Sequence, residues 1–188
     1  MTMKRSGLFY FHQRQGANFM EYRGWELPAF FSSPEQEAAL VRENVGLADQ
    51  SHLLKFDLQK EPELNGWRLG ANHYLMIAEP PLDRPPGAID ISSVYACFLL
   101  AGPRSRDVLS KLTSLNISNA ALLNLSCAQT SLAHAHAILM RDDIASILAF
   151  YLLVSRDYAE SVWESMIHAG REFHLRPFGL MALRSLRN

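Results

Sequence analysis

Cysteine is scarce in this chain: Cys97 and Cys127 are the two among 188 residues. They form no CxxC pair, so neither a disulfide framework nor a zinc site is indicated. Concentrated positive charge is also missing, with a net charge of −1 and a pI near 6.7. Nucleic-acid binders usually carry a basic face, so that class is set aside. No apolar run approaches the roughly 20 residues needed to cross a bilayer. The basic start, Met1–Gly7, leads into Leu8-Phe-Tyr-Phe-His12. That run is too short and too aromatic for a signal peptide, so the expected compartment is the cytoplasm, with no membrane or nucleic-acid partner. What remains is the balance of an ordinary globular protein, 48% hydrophobic and 20% charged. The length suits one module over residues 1–188, and the stiff Pro80–Gly87 connector offers a boundary between lobes 1–86 and 87–188.

Along the chain, residues 7–31 are aromatic-rich and irregular, and such a segment is expected to wrap a core. Ser33, Pro34 and Gln36 are a helix start, with a cap, a first-turn proline and a capping-box partner. That helix should run to about Asn44, burying Ala38, Val41 and Val45. His52–Leu58 alternates as a strand, and Trp67–Gly70 with Tyr74–Ala78 reads as a hairpin. Val94–Ala101 is then a strand, and Gly102-Pro103 opens a helix to about Leu112. Cys127–Met140 reads as one long strand and Ile147–Val154 as another, followed by a helix over Arg156–Gly170 and a last strand over Gly179–Leu186. The order is βαββαβ, a ferredoxin-like split unit within an α+β fold: antiparallel sheets with helices on one face. On such a long strand His134 and His136 would share a face as a metal pair, but no third ligand stands near them, and a structural or surface role weighs more.

Three stretches resemble the folate-binding aminomethyltransferase family, the T-protein of the glycine cleavage system. The first joins Tyr22-Arg-Gly-Trp-Glu-Leu-Pro28 to Val45-Gly-Leu-Ala-Asp-Gln-Ser-His52, similar to the family's Gly-Trp…Pro opening and its Gly-x-x-Asp-x-Ser-His element. The second, Leu100-Ala-Gly-Pro-Arg-Ser-Arg-Asp-Val-Leu109, is similar to its Gly-Pro strand-to-helix turn. The third, Pro177-Phe-Gly-Leu-Met-Ala-Leu-Arg-Ser-Leu-Arg187, resembles the stretch closing the folate-binding domain. The middle of the chain, from Asp90-Ile-Ser92 through Cys127-Ala-Gln-Thr130 to Ser155–Trp163, is also similar to the gamma subunit of heterotetrameric sarcosine oxidase.

The resemblance implies tetrahydrofolate as cofactor, with a lipoyl carrier protein or a flavoprotein subunit as partner. It also implies candidate residues. His52 lies where the family's strand lines the folate channel, although bonding to local backbone accounts for it equally. Leu53 stands where the family often has Met and could pack on a pterin, or be plain core. Arg104, with Arg106, sits in a helix's first turn, an unusual place for a cation; it either attracts the acidic tail of folate or lies on a solvated face. Arg187 closes the third stretch.

The departures are equally specific. The chain is shortened between Leu58 and Asp90, where the family carries an essential aspartate, and is expected to lack the family's C-terminal region. Glu63 is the sole stand-in offered for that aspartate, against the reading of a solvated loop carboxylate. The family's Gly-Tyr-Thr-Gly-Glu loop maps onto Asp143-Ile-Ala-Ser-Ile147, and an arginine of its Ala-Arg-Asp motif onto Leu183. Each lost partner would leave a pterin polar group unpaired, at about 1–3 kcal/mol. Weakened or lost transfer is therefore the expectation, with a non-catalytic gamma-type subunit as the alternative.

Overall fold

The computed structural model describes residues 3–62 and 66–188. The aromatic start is more regular than its sequence suggests. A short strand β1 (Lys4–Arg5) and helix α1 (Phe9–Arg14) precede a hairpin of β2 (Asn18–Tyr22) and β3 (Trp25–Phe30). The hairpin turns on Arg23 and Gly24, both at positive φ, and β1 pairs parallel with β3. Helix α2 (Pro34–Glu43) starts where the capping residues place it: Ser33 is extended, and its Oγ accepts from the Gln36 N–H at 3.3 Å.

Strand β4 (Gly46–Asp49) follows, buried along its whole length, and then β5 (Leu54–Leu58). β6 (Gly66–Gly70) and β7 (His73–Ala78) form the expected hairpin. The Pro80–Gly87 connector leads back to β8 (Ile89–Asp90), which pairs with β5 and completes a sheet in the order β6-β7-β5-β8.

β9 (Tyr95–Ala101) and α3 (Ser105–Ser110) open the split unit. The predicted long strand over Cys127–Met140 is two strands, β10 (Cys127–Leu132) and β11 (Ala135–Arg141), joined at Ala133 and His134. Both residues adopt positive φ, a turn normally marked by Asn or Gly. His134 therefore sits in the turn and His136 on β11, so they do not share a strand face. Among the described residues no cluster of three or more His, Cys, Asp or Glu side chains is placed to hold a metal.

β12 (Ala149–Ser155) and α4 (Ala159–Ala169) follow, then β13 (Arg176–Pro177) and α5 (Leu180–Arg187). The predicted strand over Gly179–Leu186 is thus a helix. Leu180, Leu183 and Leu186 recur every three residues, a helical stripe, and all three are buried. The last strand of the sheet is instead β13, just upstream, which pairs with β4.

The six-stranded sheet has the order β10-β11-β12-β9-β4-β13. β11, β12 and β9 keep the ferredoxin-like order, with β12 antiparallel to both neighbours. β4 is inserted beside β9, and β13 pairs parallel with it. Helices α3 and α4 bury Val108, Leu109, Val162, Trp163 and Met166 on one face of this sheet. The other face meets α2, α5 and the β6–β7 hairpin through Val41, Leu183, Leu186, Trp67 and Leu75. No helix among the described residues is long and apolar enough to cross a membrane.

Candidate functional site

The turn between β4 and β5, Asp49-Gln50-Ser51-His52, lies where the small and large sheets meet. Its first residue anchors the N-terminal arm. The buried Asp49 carboxylate accepts from Ser6 Oγ at 2.7 Å and from the Ser51 N–H at 2.9 Å, and lies 3.2 Å from His12 Nε2. Burial alone would raise its pKa, but the contacts with His12, Ser51 and Ser6 outweigh it and hold the carboxyl far below the usual range. Asp49 is therefore a charged rivet between α1, the arm and the turn.

Lys55 is the turn's second rivet. Its fully buried Nζ donates to the Ser51 and Leu53 carbonyls, both at 2.9 Å. Burial lowers its pKa. Beside it, burial pushes the Cys97 thiol up to about 12, so this sulfur is a packed apolar group rather than a nucleophile.

One side of the turn opens on a cavity of about 810 Å³. Residues 4–8, the Ser51–His52 turn, residues 80–83, the segment leading into β9 and the start of α4 wall it. The volume falls within the range of small-molecule sites, about 300–1,000 Å³. His52 lines it and is completely buried, yet neither ring nitrogen has a hydrogen-bond partner among the described residues.

On the other side of His52 stands Glu79, at the end of β7. Its Oε2 lies 3.5 Å from His52 Nε2, a charge contact too long for a good hydrogen bond. The same oxygen accepts from Tyr22 Oη at 3.3 Å, and Oε1 lies 3.7 Å from an Arg187 nitrogen. Half-burial opposes its charge, but His52, Arg187 and Arg23 prevail and lower its pKa. Arg187 also donates to Tyr151 Oη at 3.0 Å, and burial pushes that phenol up to about 12.

The structure thus brings His52 and Arg187 together on one carboxylate. Leu53 packs in the apolar cluster of Tyr151, Ile144, Leu183 and Leu186, outside the cavity lining. Arg104 is exposed at the start of α3, paired with Asp107 and stacked over Phe173, also outside that lining. Glu63 lies outside the described residues. Within the segment 143–147, Ile144 is buried and bridges to Ile147. Sequence reasoning missed Glu79, Asp49 and Lys55. One signal was available for Glu79: a lone acid where an apolar strand runs into Pro80-Pro81.

The family model described as "GCVT N-terminal domain" matches residues 8–61 and 71–188. The aminomethyltransferase of Halothermothrix orenii is 26% identical over 232 residues, covering 98% of this chain and 64% of that protein. That of Geobacillus kaustophilus is 28% identical over 233 residues, with the same coverage. The chain therefore spans about 64% of the length of these relatives. In fold it is similar to the glycine cleavage system aminomethyltransferase T of Bartonella henselae, with a TM-score of 0.79 at 16% identity, covering 98% of this chain and 62% of that one. It is also similar to a chain of the heterotetrameric sarcosine oxidase of Corynebacterium sp. U-96, with a TM-score of 0.63 at 17% identity. That match covers 90% of this chain and 96% of the other.

Proposed function

The chain belongs to the GCVT N-terminal domain family, and from that premise we propose that it binds tetrahydrofolate as an aminomethyltransferase-like module with weakened or lost transfer activity. The observation that carries this reading is the Glu79 carboxylate clasped between His52, Tyr22 and Arg187. A reduced pterin presents N–H donors along one edge, and an ionised, half-buried carboxylate is a fitting acceptor for them. In aminomethyl transfer a folate nitrogen attacks an iminium carbon, so a fixed negative charge positions the nucleophile and steadies the developing cation.

The weakening is supported by what surrounds Glu79. Its charge is already shared with Arg187 and His52, which leaves less of it for a reacting centre. Ile144 and Leu183 stand at positions where the family resemblance implies polar pterin contacts, and both are buried in apolar packing. A lipoyl carrier protein and a cytoplasmic setting in one-carbon metabolism complete the proposal. Calorimetric titration with tetrahydrofolate tests it. Saturable micromolar binding that weakens about tenfold in Glu79→Gln is expected, the effect of one lost charged hydrogen bond. No binding to the unmodified protein would end the reading.

A second reading rests on the likeness in fold to a chain of heterotetrameric sarcosine oxidase, together with the sequence resemblance of the middle of the chain to its gamma subunit. It makes the protein a non-catalytic gamma-type subunit of an amine-oxidising flavoenzyme. Co-expression with the flavoprotein subunits distinguishes the two readings: a stable heteromer without folate binding favours the subunit.

A further inference from the structure

The cavity beside the Ser51–His52 turn has a lining unlike the rest of the molecule. The whole chain carries a net charge of −1, yet Lys4, Arg5, Arg23 and Arg156 line this cavity against two carboxylates, Asp83 and Asp90. The two carboxylates offset the four cations only in part. Asp90 Oδ1 accepts from the Ser92 N–H at 2.9 Å, closing its own turn. Arg5 is paired with Glu26, and Arg23 donates to the Pro80 carbonyl. Lys4 and Arg156 make no ion pair among the described residues; Lys4 lies over the Trp25 ring, 5.8 Å from its centroid. Unneutralised cations gathered around a concave, partly apolar surface focus a positive potential that attracts an anion.

Trp25, Leu54, Pro80, Leu82 and Tyr95 supply an apolar and aromatic part of the wall, and Ser6, Ser51, Ser92 and Ser93 a neutral polar part. His52 stands behind this wall with its ring completely buried, and its Nε2 lies 3.5 Å from Glu79 Oε2 on the far side.

We infer that this cavity is a binding site for a small anion with a flat apolar body and a terminal group bearing two negative charges. The body lies against Trp25, Leu54 and Pro80. Lys4 and Arg156 take the charged end. A phosphate monoester and a dicarboxylate share this chemistry. The site is separate from the Glu79–Arg187 contacts and requires no folate binding, so either proposal can fail alone.

Trp25 supplies the readout, because Trp67 and Trp163 are buried outside the cavity lining. Phenyl phosphate and phenylmalonate are titrated against the full chain, following tryptophan fluorescence, with benzamide as the neutral probe. Saturable change with at least one anion, none with benzamide, and steep weakening by salt are expected. Arg156→Ser and Lys4→Ser should each weaken binding roughly tenfold, as loss of a charge-assisted contact predicts. Arg171→Ala, an exposed cation outside the lining, should leave binding unchanged. Trp25→Phe should abolish the signal while calorimetry still records binding. A preference between the two anions decides phosphate against carboxylate. Equal binding of benzamide, or full affinity in both cation variants, would overturn the inference.

Discussion

Replacing Asp49 by alanine isolates the rivet that joins the N-terminal arm and α1 to the turn carrying His52. Three donors lose their acceptor: Ser6 Oγ, the Ser51 N–H and His12 Nε2. Ser6 is half-buried and can turn to water. The Ser51 amide and the fully buried His12 ring are more confined. Two confined, unsatisfied groups at about 1–3 kcal/mol each give a loss of roughly 2–6 kcal/mol. At about 2–4 °C per kcal/mol for a domain of this size, Tm falls by roughly 4–24 °C.

Urea unfolding at a series of pH values, followed by tryptophan fluorescence and circular dichroism, measures the loss. The folded-state pKa of Asp49 lies below its unfolded value, so its stabilisation is fully present above about pH 4 and is lost as pH falls towards the folded value. The gap between parent and variant should therefore be widest near neutrality and narrow below about pH 4. A gap under about 1 kcal/mol at pH 7, or one that stays constant down to pH 3, would refute the rivet.

Two further outcomes follow from the packing. Gly102 adopts a φ of +128°, and a Cβ there would stand 2.4 Å from the Asn44 carbonyl oxygen and 2.7 Å from that of Val41. Gly102→Ala should cost about 3 kcal/mol or more by chemical denaturation, and a loss below about 1 kcal/mol would contradict the close approach. Cys127 is partly exposed and Cys97 buried, so a thiol reagent should label one equivalent in the native state and two after unfolding. Rapid native labelling of both would mean that the core around Cys97 opens.

The hinge points of the fold differ in how far they could be read from residues alone. Helix α2 was legible because its cap is local: Ser33, Pro34 and Gln36 are neighbours in sequence, and the bond between Ser33 and the Gln36 amide is the one their spacing implies. Helix α5 was misread because its cap is not local. The Gly179 N–H donates to Glu37 Oε2 at 2.8 Å, and the other oxygen of the same carboxylate accepts from the Phe31 and Ser32 amides. A Cβ on Gly179 would also stand 2.2 Å from the Ala29 carbonyl oxygen, so glycine permits the close crossing of β3 and α5. The β10–β11 turn was invisible for a different reason: Ala133 and His134 carry none of the usual turn chemistry, and strand pairing imposes their positive φ.

The candidate site divides in the same way. Local pattern and resemblance together brought out His52 and Arg187, along with the antiparallel α+β plan, since these depend on short-range periodicity and contiguous motifs. The meeting of those two residues on Glu79, the donors converging on Asp49, and the cations assembled around one cavity join positions up to 152 residues apart. Through-space electrostatics and burial fix such groupings. Neither force leaves a periodic trace along the chain, and so only the folded arrangement could decide them.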